Sequence, residues 1–73
     1  MGSSVLAVSV DRALRVALLW SEEHIVAEVR FDSGEPVVYP DPTSPKPLWL
    51  FPESLVARSI DAAVQLMATG QAV

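Results

Sequence analysis

Residues 24–31 read HIVAEVRF, and this stretch decides the fold. Ile25, Ala27, Val29 and Phe31 point one way, while His24, Glu28 and Arg30 point the other, with Val26 the single exception. A period of two sends successive side chains to opposite faces, so the segment is expected to be a strand with one buried face and one wet face. Asp32-Ser33-Gly34 follows, and Gly34 can take the left-handed conformation that a tight hairpin loop demands. Residues 36–39 (PVVY) then form the expected return strand. Pro36 has no N–H to give to a ladder, which places that strand at a sheet edge.

Upstream, residues 5–10 (VLAVSV) are short and β-branched and end at the polar pair Asp11-Arg12, the pattern of another strand. In residues 14–20 (LRVALLW), Leu14, Val16, Leu18 and Trp20 alternate with Arg15, Ala17 and Leu19, as in a strand with one strongly buried face. Asp11 could instead cap a helix in which Ala13, Leu14, Ala17 and Leu18 share a side, so strand and helix compete here and strand is the favoured reading. Ser21-Glu22-Glu23 is a polar break between this segment and the hairpin.

Downstream, all six prolines fall between positions 36 and 52. The run Pro40-Asp41-Pro42-Thr43-Ser44-Pro45-Lys46-Pro47 is expected to be an extended, stiff connector over residues 40–47. Within it Pro42-Thr43-Ser44-Pro45 matches a minimal PxxP pattern, but Lys46 follows without the usual spacer, and a strap across the domain is the simpler reading. Pro52 and Glu53 make a good helix start, because the ring presets φ and the carboxylate meets the positive end of the dipole. Val56, Ile60, Ala63 and Met67 form an apolar stripe opposite Arg58, Asp61 and Gln65, and Gly70 is a natural C-cap. The fold class expected is therefore α+β: a small antiparallel β-meander of three to four strands, followed by one C-terminal helix packed on the sheet. The whole, residues 1–73, reads as one domain, with residues 1–4 a disordered or vector-derived tail.

Composition narrows the function classes. At 73 residues a single core only marginally offsets chain entropy, and small chains add disulfides, a metal or a partner. Cysteine is absent and His24 is the lone histidine, so neither a disulfide framework nor a His/Cys metal site is expected. A partner is the staple that remains, and the 51% hydrophobic content supplies the surface for one. The net charge of −4 argues against nucleic acid and against anionic membrane surfaces, where cationic side chains supply the affinity. No apolar run reaches the length of a membrane span, and the expected location is cytoplasmic. Arginine outnumbering lysine, abundant Ala and Val, and the absence of Asn point to a GC-rich bacterial or phage genome.

Chemistry-bearing residues are sparse. His24 lies beside Glu22 and Glu23 but has no neighbouring Ser or Cys nucleophile, which reads as an exposed strand-end histidine. The three glycines are scattered, so no phosphate-cradling loop exists. A strand ending at Asp11 and running on into a meander resembles the opening of the actin-like ATPase superfamily. That resemblance implies, as an alternative function, a truncated or degenerate nucleotide-handling domain with Asp11 near phosphate. The family's glycine two positions after the Asp is replaced here by Ala13, and the second phosphate loop and adenosine pocket have no room in the chain.

Leu48-Trp49-Leu50-Phe51 is the remaining feature: four large apolar residues in a row cannot all face one core in a regular helix or strand. At least one of them is expected at the surface or against another chain, and Trp is favoured at such anchors. Leu55, Val64 and Leu66 widen the helix stripe beyond the needs of one small sheet. The sequence thus points to a small protein-binding module, homo-oligomeric and non-catalytic, that uses no cofactor. Its expected partner surface comprises Leu48, Trp49, Leu50, Phe51, Leu55 and Leu66.

Overall fold

The computed structural model describes residues 6–69; the tail at residues 1–4 and the Gly70 cap lie outside them. Four strands run in chain order: β1 (Ala7–Asp11), β2 (Val16–Ser21), β3 (His24–Arg30) and β4 (Val37–Pro40). They form one sheet in the order β1-β2-β3-β4, with every neighbouring pair antiparallel. A single turn of 3₁₀ helix (Leu48–Leu50) leads into α1 (Glu53–Thr69), which packs most closely along β1. The α+β meander with its C-terminal helix is the observed architecture.

Residues 11–20 are strand and turn, not helix. Asp11 accepts a hydrogen bond from the Leu14 N–H at 3.1 Å, so its carboxylate stabilises a turn. Arg15, at φ 57°, then reverses the chain into β2. The buried face of β2 is the reverse of the set that side-chain size favours. Ala17 and Leu19 are fully buried beneath the helix, Val16, Leu18 and Trp20 are half-buried on the open face, and Leu14 is 71% exposed at the turn. The reason is steric. Ala17, Ala27 and Ala63 belong to one fully buried cluster, and three small side chains let the α1 backbone come close to the strands.

The exception at Val26 also has a physical cause. The β2–β3 register runs Ala17↔Val29 and Leu19↔Ala27 and then slips, so that Trp20 pairs with Ile25 and Val26 is the extra residue of a β-bulge. Val26 is thereby turned inward with Leu6 and Phe51, while Ile25 joins Trp20 on the open face. Ile25 therefore leaves the buried set expected from alternation; Ala27, Val29 and Phe31 remain in it.

The hairpin turns where expected, with Gly34 at φ 94° and its N–H bonded to the Phe31 carbonyl at 3.1 Å. Its arms are shorter than the sequence pattern implies, because β4 begins at Val37 and Val29 pairs with Val38. The connector is not extended. Asp41 accepts hydrogen bonds from the Thr43 N–H (2.8 Å) and hydroxyl (2.6 Å), Ser44 N–H reaches the Asp41 carbonyl, and the Ser44 hydroxyl reaches the Lys46 carbonyl. These local bonds fold the segment into turns that polyproline geometry would not contain.

In α1 the stripe faces inward as expected. Ala63 is buried, and Ile60 and Met67 pack on the same cluster as Ala17, Leu19, Val29 and Phe31. Ser59 is buried too, its hydroxyl bonded to the Leu55 carbonyl at 2.8 Å, which satisfies the polar group inside the interface. Arg12 donates from Nε to the Met67 carbonyl at 3.0 Å, placing a cation on the last turn of the helix.

Candidate functional site

Pro47 sets the entry to the 3₁₀ turn, with extended φ −63° and ψ 155°, and two backbone bonds close it: Leu50 N–H to the Pro47 carbonyl and Phe51 N–H to the Leu48 carbonyl. At three residues per turn, side chains at i and i+3 eclipse. Leu48 and Phe51 therefore share the inward side, where Phe51 is 5% exposed in the cluster with Leu6 and Val26 and Leu48 packs beside it. Trp49 and Leu50 project outward, 77% and 58% exposed. The run splits into two anchors and two surface residues.

Beside Trp49 lies an open groove of about 440 Å³ between the end of β4 and the first turns of α1. Its walls are Pro40, Leu48, Phe51, Val56 and Ile60, with Ala57 and Glu53 along the helix rim. Lys46 sits over the Phe51 ring at 4.7 Å from the centroid, a cation held against the aromatic face near the groove. The groove is thus apolar in its depth, with the Glu53 carboxylate on its rim and Trp49 on its edge. Of the six residues expected at a partner surface, Leu48, Trp49 and Phe51 line this groove, and Leu50 is exposed next to Trp49. Phe51 is also anchored in the buried cluster, and Leu55 and Leu66 are half-buried elsewhere on the helix.

A second exposed surface, which sequence reasoning did not single out, is the open face of the sheet. Val16, Leu18, Trp20 and Ile25 are half-buried there, and Val37 and Tyr39 are exposed. Polar contacts partly cover it. Trp20 Nε1 donates to Ser9 Oγ at 2.9 Å, and Arg30 lies 4.6 Å from the Tyr39 ring centroid while its Nε donates to Glu28 Oε2 at 2.8 Å. The hydrogen bond and charge of Glu28 raise the pKa of Arg30 further. Its signal in the sequence was the second set of alternating residues in β2, which are large enough to be taken for the core.

The catalytic candidates do not converge. Asp11 is exposed and engaged by the Leu14 N–H. His24 is exposed and pairs with Ser21 across the two-residue loop Glu22-Glu23, with Glu22 at φ 57°. Among the described residues no group of three or more His, Cys, Asp or Glu side chains could hold a metal ion, and no helix is long and apolar enough to cross a membrane. Comparison with protein-family models, with curated proteins and with solved structures gives no match to this chain.

Proposed function

We propose that this chain is a small protein-binding module, an adaptor, inhibitor or assembly subunit, that self-associates and performs no catalysis of its own. The observation that carries the reading is the Trp49–Leu50 ledge. Two large apolar side chains are held in solvent by a hydrogen-bonded turn whose other two residues are fixed in or against the core, next to an apolar groove. Such a rigid ledge loses little conformational entropy on docking, and an aromatic anchor beside a pocket is the usual form of a binding hot spot. The partner is a protein that inserts an apolar side chain into the groove and covers Trp49. The nucleotide-handling alternative draws no comparable support, since the Asp11 carboxylate is used inside its own turn.

The test is capture from extracts of the cells that express the chain, with the wild type and a Trp49→Glu, Leu50→Glu double variant compared side by side. A protein retained by the first and lost by the second supports the reading, and the same contact should then be reproduced with purified components. Identical retained sets would refute it.

A further inference from the structure

We propose that β1 is a pairing edge through which two copies of this chain join, antiparallel about Val8, into a closed dimer with one continuous sheet. This rests on the reading of the chain as a self-associating module and names the surface that does it, which is not the Trp49 ledge.

The two edges of the sheet differ in a way the hydrogen-bond parity reveals. The Asp41 N–H donates to the Val26 carbonyl at 2.9 Å. Following the register back through Tyr39↔Glu28 and Val37↔Arg30, the odd-numbered residues of this strand direct their backbone groups at β3 and the even-numbered ones direct theirs outward. The outward positions in the strand are Val38 and Pro40, and Pro36 stands immediately before it, so one of the two outward positions and the residue at the strand's entry have no N–H to offer. Proline on an outward ladder position is a recurrent block to edge pairing.

The same parity opens the other edge. The Phe31 N–H donates to the Arg15 carbonyl at 3.0 Å, so odd residues of β2 bond to β3 and even ones to β1. With Ala7↔Trp20, Ser9↔Leu18 and Asp11↔Val16 in register, Ala7, Ser9 and Asp11 bond back to β2. Val8 and Val10 are left with N–H and C=O groups pointing away from the sheet. Leu6 to Val10 contains no proline and no charge. A chain of net charge −4 repels its own copy, and this neutral edge is where two copies meet without opposing like charges.

Two further features select a second copy over a foreign strand. The edge is nearly palindromic in side-chain size, Leu6-Ala7-Val8-Ser9-Val10, so a two-fold axis through Val8 sets Leu6 opposite Val10 of the second copy and Ala7 opposite Ser9 of the second copy. Large residues then meet on the helix side and small ones on the open side. Meanwhile Glu53, Ala57 and Ile60 line the groove on one flank of α1, and Leu55, Ala62 and Leu66 run along the opposite flank at i, i+7 and i+11. Leu55 packs on the cluster that contains Leu6, so that flank overlooks β1, and all three of its residues are half-buried. A second copy at β1 would bring the two flanks together above the seam. The dimer's outer edges would both be the proline-bearing β4, so growth stops at two.

Sedimentation velocity across a dilution series, with amide exchange read at Val8 and Val10, tests this. The expected result is a reversible dimer and no larger species, with both amides protected in the dimer and exchanging rapidly on dilution. Val8→Pro removes the two central bonds of the seam and none within the chain, and should weaken the dimer by on the order of tenfold or more, while Trp49→Glu leaves it intact. A monomer at every concentration with fast exchange at Val8 and Val10 overturns the proposal and leaves the Trp49 ledge to its own capture test. So does a dimer dissolved by Trp49→Glu but not by Val8→Pro, or an assembly that grows past two. Should Val8→Pro fail to fold, the exchange comparison on the wild type decides alone.

Discussion

The backbone N–H of Asp41 donates to the carbonyl of Val26 at 2.9 Å, which ties the first residue of the proline-rich connector to the bulged residue of β3. One bond thus fixes two irregularities at once. It carries the β3–β4 ladder one residue beyond Pro40, and it holds the bulge that turns Val26 into the cluster with Leu6 and Phe51.

Val26 should for that reason be a keystone despite breaking the alternation. Val26→Ala removes two carbons from a fully buried site, and the transfer loss plus the residual cavity should cost about 2 kcal/mol. Ile25→Ala, on the half-exposed open face, should cost well under half of that. Urea denaturation of the two variants decides it, and equal losses would mean that the bulge is misplaced.

Much of this fold was legible in the sequence, and the parts that were not have identifiable physics. Alternation in residues 24–31 marks a strand whatever covers it, so the hairpin, the edge position of its return strand and the order of elements follow from pattern alone. The buried face of β2 does not. Hydrophobicity ranks Leu18 and Trp20 above Ala17, but a helix approaches a sheet where side chains are small, and that choice depends on Ala63 more than 40 residues away. The turns of the connector depend on one carboxylate, that of Asp41, competing successfully with the extended preference of the prolines around it. At the candidate site, the run 48–51 announced that some residue must be exposed. The identity of the exposed pair depended on a 3₁₀ phase that composition does not encode.

Packing around the three alanines makes a converse prediction. Ala63→Leu adds volume where Ala17 and Ala27 are also fully buried, and overpacking of a closed site should cost ~1–3 kcal/mol or more. Val64→Leu, one position on and exposed, should change stability by less than about 0.5 kcal/mol. Thermal melts of the pair test whether the close approach of α1 is real.

Among the described residues, Arg15 and Glu22 carry left-handed backbone without being glycine, both at φ 57°. That conformation crowds Cβ against the backbone. Glu22→Gly should stabilise the folded chain by up to about 1 kcal/mol, whereas Glu23→Gly, where φ is not positive, should destabilise it slightly through unfolded-chain entropy. A midpoint that falls for both variants would contradict the turn geometry.

The connector supplies a pH signature. Hydrogen bonds from the Thr43 hydroxyl and N–H hold the Asp41 carboxyl below its ordinary value. A group whose pKa is lower when folded than when unfolded adds stability above its unfolded pKa and loses it as pH falls through the folded one. The contribution should therefore be complete above about pH 4 and fade in the acid range below it. Asp41→Asn should flatten this part of the stability profile, as read by denaturation at a series of acid pH values. An unchanged acid limb would show that the turn contributes nothing there.

The ledge makes the last prediction, because its two halves should respond oppositely in stability and in binding. Phe51 is 5% exposed in the cluster with Leu6 and Val26, so Phe51→Ala should cost ~3–5 kcal/mol, a large share of the total for a domain of this size. Trp49, at 77% exposed, contacts little of the core, and Trp49→Ala should leave the unfolding midpoint within about 0.5 kcal/mol of the parent. A large tryptophan whose removal leaves folding untouched has no structural reason to be held in water by a turn as well anchored as Leu48–Leu50. If Trp49→Ala instead destabilises the chain as much as Phe51→Ala does, Trp49 is a packing residue. The proposal of a docking ledge would then lose the observation that carries it. Denaturation of both variants at one low protein concentration separates the two outcomes.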